Sequence, residues 1–368
     1  MANLLTWGGQ VAAFGAGFIL VWAAMRSAVR TLVFPRPVSD PISWAVFNTS
    51  RAFFQLRLRW AKDDAAVDRI MAGYAPVSVL MLLPSWLLIV LIGFMGMYWG
   101  IGIRSVREDF LMSGSSLFTL GYASVNDLTF IVLSFVEATI GLILVALLIA
   151  YLPAMYSAFS RREAAVSQLA ARAGTPPSAV ELIIRLHRIG ELGNLRSFWR
   201  EWEVLFSEIE ESHTSLAALV FFRSPNGTLS WVTASGAVLD AAALIASTLE
   251  LPREPQAELC IRAGFIALRR IAQSLDVALP VDPRFPAVPI SISQREYNDV
   301  CAELANEGVR LKPDREQTWR NFAGWRVNYD AQLLALCSIT AAPYAHWSAD
   351  RAPSFRLRSI RPWRRKAH

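Results

Sequence analysis

The sequence predicts an all-α membrane protein, with three membrane-spanning helices and a re-entrant loop in its first 160 residues and a helical cytoplasmic domain after them. Three observations predict it. Only 18% of the 368 residues are charged and the mean hydropathy is +0.34, which is apolar for a soluble chain of this size. The apolar residues are concentrated: Met1–Met25 and Met71–Ile103 carry no charge, and Leu128–Ser160 carries only Glu137. From Arg161 onward the composition is that of a soluble domain, with helical periodicity, no β-rich run and no internal repeat. The resulting organisation is an N-terminal transmembrane helix (1–30), a basic amphipathic cytoplasmic connection (31–74), two spans with the loop between them (75–160), a helical cytoplasmic domain (161–350) and a basic tail (351–368).

A hydrocarbon core of ~30 Å needs about 20 helical residues to cross it, and each charge-poor stretch is that long. The spans are expected at roughly 5–25, 77–100 and 128–152. The first is a span rather than a signal peptide because no Lys or Arg precedes it. Basic residues near span ends stay on the cytoplasmic side. Arg26, Arg30, Arg36, Arg51, Arg57, Arg59, Lys62 and Arg69 crowd the first connection, whereas Arg104 and Arg107 are the only basic residues in the second. The expected topology is therefore N-terminus outside, residues 101–127 outside and C-terminus cytoplasmic. In the first connection, Ile42–Trp60 mixes aromatics with arginines. It reads either as an amphipathic helix on the inner membrane surface or as a helix packed on the cytoplasmic domain with its basic face in water. Pro35, Pro37 and Pro41 separate it from the first span.

The loop after span two, residues 108–127, is too apolar for a solvent loop and too short to cross, which suits a segment that dips into the membrane and returns. Asp109 suits the start of a short helix over 110–118, leaving Thr119-Leu-Gly-Tyr-Ala123 as an extended return limb. Here the sequence resembles the pore loop of potassium channels, where a short pore helix leads into Thr-Val-Gly-Tyr-Gly and the next helix lines the pore. The resemblance covers residues 77 to about 160. It implies that Thr119, Leu120, Gly121, Tyr122 and Ala123 form the ion-selectivity filter, with Ser115 and Ser116 in the pore helix behind it and Gly141 at the gating hinge of the inner helix. Carbonyl rings replace an ion's water shell in such filters, and Gly121 allows the φ > 0 geometry that aligns them. Ala123 stands where the pattern has its last glycine. An alanine in left-handed backbone costs ~1 kcal/mol, and looser discrimination between K⁺ and Na⁺ is the expectation.

Glu137 is the one charge inside a span, and a carboxylate there is functional or paired by default. It either supports the filter from behind, accepting hydrogen bonds from Ser113, Ser115 or Ser116, or pairs with Arg104 or Arg107, or is a protonated or buried structural carboxyl with no role in conduction.

The cytoplasmic domain carries helix starts at Thr175-Pro-Pro, at the capping box Ser293-Gln-Arg-Glu296 ahead of 294–306, and at Pro313-Asp-Arg-Glu, which opens a helix to about Ser338. Breaks are expected at Ser224–Gly227, Pro252–Pro255 and Pro280–Pro289, the last a candidate linker. Gly190-Glu-Leu-Gly193 lacks the strand and third glycine of a dinucleotide turn. Cys260, Cys301 and Cys337 show no metal spacing, and no histidine has a partner at ligand spacing, so no catalytic residue, metal or cofactor is expected. Phe198-Trp199 with Trp202, and Trp319 to Trp325, read as packing stripes. The tail holds seven basic residues and suits anionic lipid rather than nucleic acid.

Of the 36 basic residues only Lys62, Lys312 and Lys366 are lysine, a bias that suggests a GC-rich bacterial genome and an inner (plasma) membrane. The resemblance implies a homotetrameric cation channel with K⁺ as the permeant ion and no enzymatic activity. A reading from a different class is a non-conducting anchored signalling or scaffold protein that works through its helical domain.

Overall fold

The charge-poor runs become the long helices because, in segments this apolar, the backbone satisfies its own polar groups most completely as an α-helix. In the computed structural model, which describes residues 2–34, 40–58, 60, 64–102, 105–123 and 126–353, all regular structure among those residues is helical. The first six helices are α1 (Ala2–Leu32), α2 (Pro41–Leu58), α3 (Asp64–Ala72), α4 (Tyr74–Ile101), α5 (Val106–Leu117) and α6 (Leu128–Ala173). Helices α1, α4 and α6 are long and apolar enough to cross a membrane, as expected. The described residues divide into two compact units: those up to Phe53 with Pro76–Ala154, and Phe54–Ala75 with the described chain from Met155. Residues 31–74, expected as one connection, are thus shared between the units. Arg36, Arg59, Lys62, Arg104 and residues 354–368 of the basic tail lie outside the described residues.

In the first unit α1 and α4 run antiparallel along a seam of small residues. A Cβ built on Gly93 would stand 2.8 Å from the Gly17 carbonyl, and one on Gly100 2.7 Å from that of Gln10. Lipid gives apolar helices no hydrophobic reason to associate, so close backbone approach through small residues takes its place. At one end of the seam lies a buried polar cluster. Ser27 Oγ donates to Asp40 at 2.5 Å and accepts from Trp86 Nε1 at 2.8 Å. Asp40 also accepts the Ser43 N–H at 2.8 Å, capping the first turn of α2 with Pro41 behind it.

The second unit adds α7 (Ala179–Arg188), α8 (Arg196–Ser215), α9 (Trp231–Ser247), α10 (Pro255–Ser274), α11 (Gln294–Asn306), α12 (Arg315–Arg326) and α13 (Asp330–Thr340). Helix α9 is buried on nearly all sides and lies at the centre, touched by α7, α10, α12 and α13. Phe198, Trp199, Trp202, Trp319 and Phe322 pack into this core.

Three boundaries differ from expectation. Thr175-Pro-Pro forms a turn after Gly174, and α7 starts at the later cap Ser178, whose side chain accepts the Glu181 N–H. The helix expected from Pro313 to Ser338 breaks at 327–329, because Arg326 and Tyr329 are both drawn onto Asp240 of α9 and one straight helix does not point both inward. The stretch Pro280–Pro289 is irregular but links no separate domains, since both its sides lie in this unit and Phe285 packs edge-on against Trp319. The Ser293 capping box and α11 form as expected.

Two buried cations organise this core. Arg326 donates to Asp240 at 2.5 Å, to Asp330 at 2.8 Å and to the Trp347 carbonyl at 2.5 Å. Burial opposes its charge, but the two carboxylates outweigh that and hold the guanidinium protonated. Tyr329 donates to the same Asp240 at 2.8 Å, its phenol pushed well up by burial. Arg162 donates to the Leu219 and Phe222 carbonyls and lies 2.8 Å from His213 Nε2. Arginine has no acceptor, so Nε2 accepts and the ring proton sits on Nδ1, facing Ser212 Oγ at 3.1 Å.

Removing one partner of a buried ion network leaves the others uncompensated, at a cost of ~3–5 kcal/mol. Arg326→Met should therefore lower the urea midpoint of the purified protein by a corresponding amount. His213 is neutral and held well below its ordinary value by burial and by Arg162. Below about pH 6.5 the unfolded chain takes up a proton that the folded chain refuses, so stability falls as pH falls, by up to ~1.4 kcal/mol per pH unit. Urea unfolding at a series of pH values should show this slope in the wild type and a shallower one in His213→Asn.

Candidate functional site

Between α4 and α6 the chain makes one short helix and one exposed limb, and the local sequence accounts for both. Ser105 caps α5: its Oγ accepts the Glu108 N–H at 3.3 Å, and the Glu108 carboxylate accepts the Ser105 N–H at 3.2 Å. Glu108 and Asp109 add acidic charge to the first turn, favourable at a helix N-terminus. The helix thus begins at Val106 rather than at 110, and Ser105-Val-Arg-Glu108 is a capping box readable in the sequence.

Its other end is a Schellman turn. Leu120 N–H reaches the Ser115 carbonyl at 2.8 Å and Thr119 N–H the Ser116 carbonyl at 3.0 Å. That turn needs one left-handed residue, usually glycine, and here it is Thr119 at φ 54°. A β-branched residue in this region is a genuine outlier, with strain of about 1–3 kcal/mol. Gly121 is left-handed as well, at φ 73°. Thr119–Tyr122 are exposed, with Phe118, Leu120 and Tyr122 each more than half accessible. The limb is tied back where Ser115 Oγ accepts the Ala123 N–H at 3.1 Å.

Behind α5 sits Glu137, fully buried. It accepts from Ser113 Oγ at 2.5 Å and from Tyr98 Oη at 2.9 Å, so one carboxylate from α6 binds both α5 and α4. Ser113 was among the expected donors. Ser115 and Ser116 bond elsewhere, Ser116 Oγ donating to the Met112 carbonyl. Tyr98, stacked on Phe130 with centroids 5.9 Å apart, is the partner that sequence reasoning missed. Its signal was general: a tyrosine inside a charge-free span has a hydroxyl that must be satisfied.

Gly141, expected at a hinge, lies in unbroken helix. It also allows close approach: a Cβ at this position would stand 2.6 Å from the Leu117 carbonyl at the end of α5. The site therefore gathers Ser113, Ser115, Glu137 and Gly141 around α5, while Thr119, Leu120, Gly121 and Tyr122 project from it. Among the described residues no cluster of His, Cys, Asp and Glu is placed to hold a metal ion.

The two glycines should respond differently to alanine. Gly141→Ala drives a methyl into backbone and should cost ~1–3 kcal/mol as overpacking. Gly121→Ala meets nothing within 4 Å and should pay only the left-handed penalty of ~1–2 kcal/mol. Thermal unfolding in detergent, with hydrogen exchange of 106–123 as a local readout, should show α5 loosened by Gly141→Ala and retained in Gly121→Ala. No protein-family model, curated protein or solved structure matches the chain, so the reading of the site rests on its own geometry.

Proposed function

We propose that the protein is a cation channel, potassium-permeable, in which four copies bring their 119–123 limbs together around one ion path. The observation that carries this reading is the limb itself. It is exposed, it has left-handed backbone at both Thr119 and Gly121, it follows a short capped helix, and it lies between two helices of membrane-crossing length. One limb per chain cannot ring an ion, so the reading requires several copies. In this reading α5 is the pore helix, Glu137 holds it against α6 and α4, and residues 101–127 face outside while the second unit is cytoplasmic.

The sequence 119–123 departs from a full glycine filter at Ala123, and Thr119 takes the left-handed geometry at its first position. Fewer well-formed carbonyl sites discriminate less between K⁺ and Na⁺. The reading of an anchored scaffold draws on the size of the second unit, which buries its own core. Oligomeric state separates the two: a channel is a tetramer in mild detergent, while an anchor needs no such assembly.

Purified protein in liposomes should pass K⁺, and Gly121→Val should abolish that flux while leaving the tetramer intact, because a β-branched residue does not take φ near 70° without strain. Flux unchanged in this variant sinks the assignment of 119–123 to the ion path. Ala123→Gly should raise the K⁺/Na⁺ permeability ratio read from reversal potentials under bi-ionic conditions. A wild-type ratio that is already high and unmoved by glycine removes the expected looseness and leaves conduction standing.

A further inference from the structure

Helix α2 does not confine its apolar residues to its buried side as a water-facing helix should. Its buried side holds Ser43, Val46, Arg51 and Phe54. Its exposed side carries Ala45, Thr49, Ala52, Phe53 and Leu56, spaced i, i+4, i+7, i+8 and i+11, with Phe53 58% and Leu56 53% accessible and the polar Gln55 exposed at one flank. The only charged residue exposed on the helix is Arg57, at its last turn. A helix in water keeps its apolar stripe inward and its charges outward, and a contiguous exposed apolar face marks a surface that meets something other than water.

The polar cluster at the start of α2 indicates what that is. Asp40 and Ser43 fasten its first turn beside Ser27 and Thr31 of α1, and Ser27 is bonded in turn to Trp86 of α4. Trp86 stands nine residues along α4 from Val77, about 13 Å at helical rise. Over that length α4 still exposes Val77, Leu80 and Met81, and the chain carries no charge there. Beyond α1, Val33 and Phe34 are exposed as well. Helix α2 therefore begins at a depth where its neighbour is still apolar outward, and its exposed face continues that surface.

We propose that the α2 face carrying Ala45, Thr49, Ala52, Phe53 and Leu56 is seated in lipid, at the acyl-chain and headgroup boundary of the leaflet in which α1 ends. Arg57 lies at the edge of this face, where a long side chain reaches headgroups while its stem stays in apolar surroundings. The proposal requires that α1 and α4 cross a bilayer and is independent of conduction.

The test is a nitroxide scan of full-length protein in vesicles of phosphatidylcholine and phosphatidylglycerol. Single cysteines are placed at Ala45, Thr49, Ala52, Phe53 and Leu56, and collision rates with oxygen and with a water-soluble nickel chelate are read by electron paramagnetic resonance. Cys260, Cys301 and Cys337 are buried, with thiols pushed up by burial, so labelling at neutral pH goes to the introduced residue. Leu88 on the exposed side of α4 is the membrane control and Val281, 91% accessible, the water control. The expected result is an oxygen-to-nickel ratio several-fold above that of Val281 at all five positions. A ratio equal to that of Val281 places the face in water and overturns the proposal. Low access to both reagents means that protein covers it, and overturns the proposal too. Leu88 separates the two failures: if it behaves like Val281, the spans themselves are not in lipid. Ala45, Thr49 and Ala52 are small exposed residues, so their cysteine variants keep the test available should Phe53→Cys or Leu56→Cys fold poorly.

Discussion

A carboxylate with no contact with solvent must have its oxygens satisfied by protein, and Glu137 does so by reaching two different helices at once. Its bonds to Ser113 and Tyr98 make α4, α5 and α6 mutually dependent, because moving any one of them strands a buried polar group. The short helix α5 has little else to hold it: twelve residues are marginal alone. Capped by Ser105, backed by Glu137 and pressed onto Gly141, it is nonetheless held at both ends and along one side. The exposed limb inherits its position from that clamp, through the turn at Ser115–Leu120 and the Ala123 tie.

The same economy governs the α1–α4 pair. The pair meets through glycine-to-backbone contact and one small buried polar cluster, the kind of contact that holds helices together where lipid removes the hydrophobic drive. That cluster also sets where α2 begins, so the first helix outside the long apolar pair is fixed by side chains inside it. The strain at Thr119 belongs to this picture as well. A left-handed threonine persists only where the surroundings over-determine it, and here the Schellman bonds of α5 and the Ala123 tie to Ser115 do so.

The second unit follows the physics of soluble cores instead. Its central helix α9 is buried on every side, and the polar groups it carries inward are matched, Asp240 by Arg326 and Tyr329, and Thr248 just beyond its end by Tyr297. A buried ion network of this kind is weak evidence of net stability and strong evidence of a defined arrangement, since each member punishes the loss of the others. It also forces the break between α12 and α13.

Helical class, the three long apolar helices and the place of the loop between the second and third were legible in the residues, because hydropathy over twenty positions and capping boxes are local properties. The α11 start at Ser293 and the left-handed Gly121 were legible for the same reason. The start of α5 was equally local and lay in Ser105-Val-Arg-Glu108. What only the tertiary structure decided is non-local. Tyr98 and Ser113 stand 39 and 24 residues from Glu137, and Asp240 stands 86 from Arg326. No periodicity announces such partners, since one carboxylate is equally compatible with several donors until packing selects among them. Gly141 makes the same point: nothing in the sequence announces the Leu117 carbonyl that lies where its Cβ would stand.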